Sequence, residues 1–111
     1  MSMHTDTDRI RALNDELRKH LLGGGAVITT GIAELGAEAV KRLVKTIAVF
    51  ENFCQANDPH QEHDFGNFTL AGQKFFFKID AYDANMEFGS EDPADPSKTT
   101  RVLTIMLAEE Y

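Results

Sequence analysis

The sequence predicts an α+β domain, with two helices packed on one face of a small, mainly antiparallel sheet. Three observations carry that reading. Apolar residues recur at spacings of three and four in two segments of the first half. The second half holds β-branched and aromatic runs separated by turn residues. The whole chain is 111 residues, the size of one domain.

The first helix is read over residues 7–22. Ile10, Leu13, Leu17 and Leu21 form its stripe, Thr5 or Thr7 can cap it, and Asp6 and Asp8 suit its positive end. Arg18, Lys19 and His20 suit its negative end. Residues 1–6 form a short polar arm expected to fray, and Gly23, Gly24 and Gly25 act as terminator and hinge. No Gly-Lys-Ser/Thr follows them, so they are not a phosphate-binding loop. Ala26–Thr30 is a short β-branched strand. The second helix is expected from Ala37 to Phe53, with Ala37, Val40, Leu43, Val44, Ile47 and Phe50 inward and Lys41, Arg42 and Lys45 outward.

Asn57-Asp58-Pro59 marks a turn. Phe68-Thr69-Leu70 then leads through Ala71-Gly72, a hairpin turn, into a strand from Lys74 to Tyr82. In that strand Phe75, Phe77, Ile79 and Ala81 share one face, and Phe76, Lys78, Asp80 and Tyr82 the other. After a mobile-looking loop from Asp83 to Thr99, residues 101–108 form a strand with apolar groups on both faces, as a central strand has. Leu13, Leu17, Val44 and Ile47 are expected to pack on the sheet.

Four blocks make the chain recognisable: Glu62-His63-Asp64-Phe65-Gly66, Lys78-Ile79-Asp80-Ala81-Tyr82-Asp83, Gly89-Ser90-Glu91-Asp92-Pro93-Ala94-Asp95-Pro96, and Arg101 through Tyr111. With the opening Arg9–Asp15, they resemble a family of small proteins of unknown function found in alphaproteobacterial genomes, plasmids and phage-like mobile elements. Ala81 departs from the aromatic residue expected there. The resemblance supplies no catalytic residues; it implies a mobile-element setting in which small inhibitors of host machinery occur.

Charge narrows the function classes. The net charge is −7, and it is unevenly spread. Residues 1–50 carry six acids and seven bases, net +1, while residues 51–111 carry twelve acids and four bases, net −8. An acidic half repels phosphate, which disfavours direct nucleic-acid binding, yet it suits a basic protein surface. The absence of a long apolar run and of a leader pattern, together with a single cysteine, points to a cytoplasmic protein without a membrane segment. Cys54 lacks a nucleophile motif and is expected to be a buried thiol.

Two function hypotheses follow. The first is a non-enzymatic inhibitor, anti-CRISPR-like, that occupies a basic surface of a CRISPR effector or another nucleic-acid-binding protein. Its contact residues would be Asp80, Asp83, Glu87, Glu91, Asp92, Asp95, Glu109 and Glu110. The alternative is a metal-dependent hydrolase or nuclease with zinc or manganese held by His60, Glu62, His63 and Asp64, aided by Asp80. The His-x-x-His spacing, however, lacks the i, i+4 separation that puts two ligands on one helix face. A tight turn explains the same segment, with Asp58 starting it, Glu62 and Asp64 capping backbone N–H groups and the histidines bonding locally.

Overall fold

The computed structural model describes residues 5–111, so the part of the predicted N-terminal arm before Thr5 lies outside the described residues. Helix α1 spans Asp6–His20. Thr5 caps it in a capping box with Asp8, and the chain leaves it through Leu21 in the left-handed conformation. Strand β1 covers Gly24–Ile28, a short helix α2 covers Thr30–Ala33, and helix α3 covers Ala37–Ala48. Strands β2 (Phe65–Leu70), β3 (Gln73–Tyr82) and β4 (Thr100–Leu107) complete the sheet. The result is an α+β fold with a four-stranded mixed sheet.

The strand order is β1-β4-β3-β2. β2–β3 and β3–β4 pair antiparallel, and β1 runs parallel to β4 with Ala26 opposite Leu103. The hairpin turn falls at Ala71-Gly72, both at positive φ, as a two-residue turn between twisted strands requires. β4 lies between β1 and β3, which explains its two apolar faces. Leu103, Ile105 and Leu107 enter the core on one face, and Met106 is also buried on the other.

Leu17 of α1, Ile32 of α2, and Leu43 and Ile47 of α3 meet Phe75, Phe77, Ile79, Leu103, Ile105 and Leu107 in one apolar cluster. Val44 packs against that cluster. Gly66 is buried there because a side chain would collide with the rings of Phe77 and Phe50.

Several boundaries differ from expectation, each for a physical reason. Gly23 ends the turn after α1, but Gly24 and Gly25 belong to β1. A Cβ at Gly24 would sit 2.5 Å from the Arg101 carbonyl oxygen, so the glycine serves close strand approach rather than hinging. α2 has one buried apolar residue, Ile32, too few to create a periodic signal. α3 stops at Ala48, five residues before Phe53, and the Arg18 guanidinium meets carbonyls at and just beyond its end. Its Nη1 donates to Ile47 at 2.9 Å and to Phe50 at 2.7 Å. Phe50 remains buried although it lies beyond the helix.

Ile47 is 1% exposed at the centre of the cluster. Ile47→Ala should therefore lower unfolding free energy by about 2 to 5 kcal/mol in urea denaturation. A change near zero would show that α3 is not docked as described.

Candidate functional site

The segment from Asp58 to Asp64 is a turn fastened to α1. The buried Asp58 carboxylate accepts the N–H of Glu62 at 2.9 Å and of His63 at 3.1 Å. Gln61 and His63 both take positive φ, a strained backbone for such residues, and α1 holds it in place. Arg11 donates to the Gln61 carbonyl and Asn14 to the Glu62 carbonyl, each at 2.9 Å. The cap is thus Asp58, rather than Glu62 or Asp64 as expected.

The ring of His63 makes its hydrogen bond outside the turn. Its Nδ1 lies 2.9 Å from Asp15 Oδ1 on α1 and its Nε2 3.8 Å from Asp58 Oδ2. Its ring stacks on Phe53 at 3.9 Å, and the Arg18 guanidinium lies 5.1 Å from the Phe53 ring centroid. Arg18 also bonds Asp15 at 2.8 Å. Burial pushes the Asp15 carboxyl up, but hydrogen bonds from Arg18 and His63 outweigh it and hold the group below its usual range. Burial also raises Glu62, with Asp64 nearby, and raises Asp64, with Asp58 and Asp80 nearby. His60 is exposed. Among the described residues no three His, Cys, Asp or Glu side chains form a group that could hold a metal ion. The four proposed ligands therefore do not make one metal-binding set.

Cys54, expected to be buried, is exposed. It follows α3 in a turn where its backbone N–H donates to Asn57 Oδ1 at 3.0 Å.

The chain between β3 and β4 is pinned at many points, in contrast to the mobile loop expected. Tyr82 bridges Gly89, and Ser90 N–H donates to Ala81 at 2.9 Å. The Ser90 hydroxyl lies 2.7 Å from that of Thr99 and accepts Asp92 N–H, while Thr99 donates to the Asp92 carbonyl at 2.9 Å. From below, buried Arg101 donates to the Pro93 carbonyl and, through Nε, to Asn14 at 2.9 Å.

On this frame the acidic residues divide by role. Asp83 accepts the N–H groups of Asn85 and Glu87. Asp95 accepts both the hydroxyl and N–H of Ser97, which lower its pKa. Asp80 pairs with Lys78 at 3.0 Å, and that hydrogen bond raises the lysine. Glu87, Glu91 and Asp92 have no ion-pair partner among the described residues. Between the carboxylates stand two apolar side chains in solvent, Met86 (50% exposed) and Phe88 (71% exposed). Asp83, Glu91 and Lys98 line a hollow of about 450 Å³ on the same loop.

Glu109 and Glu110 lie elsewhere. Glu110 accepts from the Thr29 hydroxyl at 2.6 Å, Leu107 N–H at 2.8 Å and Gly31 N–H at 3.1 Å, and the Thr29 bond leads in lowering its pKa. It fastens the chain after β4 to the start of α2. At about 3.3 Å per residue, the length of β4 sets these two acids roughly 23 Å from the β3–β4 loop. The eight predicted contact residues thus occupy two separate regions.

Asn14, Asp15, Arg18, Phe53 and Arg101 are the site residues that the sequence reading missed. Asn14 and Arg18 share a helix face at i, i+4, and Arg101 has the parity of Leu103 and Ile105. Those spacings were the available signals.

Removing the cap in Asp58→Ala leaves two N–H groups short of an acceptor and should cost about 1 to 3 kcal/mol in chemical denaturation. Asp64→Asn should act oppositely at pH 7. A carboxyl whose folded pKa is raised stabilises the fold when protonated and loses that contribution as pH rises through its folded pKa. The asparagine variant should unfold at higher temperature than the native protein at pH 7, and the gap should close as pH falls to about 3, below the unfolded carboxyl's pKa.

Neither a curated protein nor a solved structure matches the chain. A family model does, described as "Protein of unknown function (DUF3768)", over residues 28–110. That span takes in β2 to β4, the fastened turn and the acidic loop, and it exceeds half the chain, so the protein belongs to the DUF3768 family.

Proposed function

We propose that the protein is a non-enzymatic interaction module whose β3–β4 loop docks on a basic surface of a nucleic-acid-handling protein. The observation that supports this most is the exposed Phe88, beside Met86, among the unpaired carboxylates Glu87, Glu91 and Asp92. Acidity alone serves solubility, but solubility gains nothing from an exposed phenylalanine. An aromatic anchor within a charged rim is the composition of a protein-binding surface. The pinned loop favours binding further, since little freedom is left to lose on docking. In a mobile-element setting the partner would be a CRISPR effector, with the carboxylates standing where nucleic-acid phosphates normally sit.

The test is binding of the full chain to a purified, guide-loaded CRISPR effector and to a panel of other basic nucleic-acid-binding proteins, with cleavage of target DNA read in parallel. Association should slow as salt rises, because charge acts mainly on the encounter. Phe88→Ala should weaken binding by about thirtyfold, the scale of an interface hot spot. Reversing Glu87, Glu91 and Asp92 to lysine together should weaken it more than reversing Glu34 and Glu38, which lie on the other half of the chain. Asp95 is left native because its carboxylate holds the loop's own backbone. Binding indifferent to salt, to Phe88→Ala and to the triple reversal would sink the proposal.

A further inference from the structure

β1 is bonded on one side only. It lies parallel to β4 at the end of the strand order, and every one of its residues is exposed. Ladder alternation identifies its free backbone groups. Thr29 N–H donates to the Ile105 carbonyl at 3.2 Å, so Gly25 and Val27, of the same parity, direct their N–H and C=O groups at β4. Gly24, Ala26 and Ile28 direct theirs to the open edge. Natural sheet edges are commonly guarded by a lysine, a proline or a bulge. The sequence Gly24-Gly25-Ala26-Val27-Ile28 has no such residue, and Val27 and Ile28 are 49% and 40% exposed. Leu21 and Leu22, just before it, are exposed as well.

We propose that β1 pairs antiparallel with β1 of a second copy of the chain, across a two-fold axis at Ala26. This inference is independent of the acidic-loop reading. On that axis Ala26 faces its own counterpart, Gly24 faces Ile28, and Gly25 faces Val27. The outward residues Gly24, Ala26 and Ile28 then all fall at the hydrogen-bonded positions of the new ladder, so every free N–H and C=O on both edges finds a partner. Each bulky side chain meets a glycine, which removes any clash.

Charge favours a second copy as the occupant. β1 itself is neutral. Lys19 stands exposed at the end of α1 before it, meeting Glu51 only at 3.9 Å, while the exposed Glu109 lies beyond its other end, next to the Glu110 that is bound to Thr29 and Gly31. A two-fold axis sets the start of each strand beside the end of the other, bringing Lys19 toward the second copy's Glu109. Such an isologous contact closes on itself and does not propagate into a fibre.

A five-residue strand pair buries less than the roughly 1,000 Å² of a stable interface, so the dimer should be concentration-dependent. Sedimentation equilibrium of the full chain, in reducing buffer so that Cys54 cannot cross-link copies, should cover about 10 µM to 1 mM, the range of weak association. The average mass should climb from 12.4 kDa toward twice that value. Val27→Lys, which guards the edge, should raise the dissociation constant at least about tenfold with an unchanged circular dichroism spectrum. Ala26→Pro, which removes an outward N–H and none directed at β4, should do the same. A single mass throughout the range overturns the proposal, and so does a dimer that survives Val27→Lys in a folded chain.

Discussion

The fold turns on one buried cation. Arg18 is 1% exposed, and its guanidinium reaches across from α1 to the end of α3, where it bonds the Ile47 and Phe50 carbonyls and, on its own helix, Asp15. Helix ends leave carbonyls without partners, and a buried end needs a donor. A positive charge at a C-terminus also complements the helix dipole. Arg18 meets both requirements for α3. The charge is in turn compensated by Asp15, which also holds His63, and His63 stacks on the same phenylalanine that Arg18 overlies. Helix packing and the strained turn at Asp58–Asp64 therefore share one set of polar contacts. Loss of Asp15 would leave the buried Arg18 guanidinium without its carboxylate, and such networks cost more to break than their separate bonds imply.

A second buried cation, Arg101, carries this organisation to the surface. It sits at the start of β4 on the core side, bonded to Asn14 of α1 and to the Pro93 carbonyl. Burial lowers its pKa, and Glu62 opposes that shift through space. Among the described residues it has no ion pair, so carbonyl and amide oxygens meet its donors. Asn14 bonds both Arg101 and Glu62, joining the acidic loop, the fastened turn and α1 at a single side chain.

This arrangement explains what the sequence could and could not tell. Strands β3 and β4 and the hairpin turn were legible because their signals are local, resting on alternation and on a dipeptide that accepts positive φ. The apolar face of α3 was legible from periodicity, whereas of the stripe expected on α1 only Leu17 is buried in the core and Leu21 lies 46% exposed beyond the helix. The polar face of α1 was not legible, because Asn14 and Arg18 look like the wet side of a helix until a partner is known. Arg18 was read as complementing the dipole of its own helix, and the same physics operates on a different one. The carbonyl of Ile47 near the end of α3 is met by an arginine 29 residues earlier in the chain. The turn at Asp58 was legible as a turn, but the histidine in it binds an aspartate 48 residues away, beyond the reach of motif reading.

The acidic loop follows the same logic in reverse. Its carboxylates were visible in the sequence, but their division of labour depends on backbone geometry. Asp83 and Asp95 are occupied with N–H groups of the loop itself, and Glu110 with the Thr29 hydroxyl and the N–H groups of Gly31 and Leu107, so none of the three is free to meet a partner without loosening the chain. Glu87, Glu91 and Asp92 bear charge that the fold does not consume in ion pairs. The backbone of Phe88 is held by the Asp83 N–H at its carbonyl and by the adjoining Tyr82–Gly89 bridge, and Arg101 holds Pro93 from inside. The exposed chemistry of the loop is therefore positioned by the buried chemistry of the core. A substitution at Arg101 or Asn14 would disturb the loop's presentation without touching one of its carboxylates.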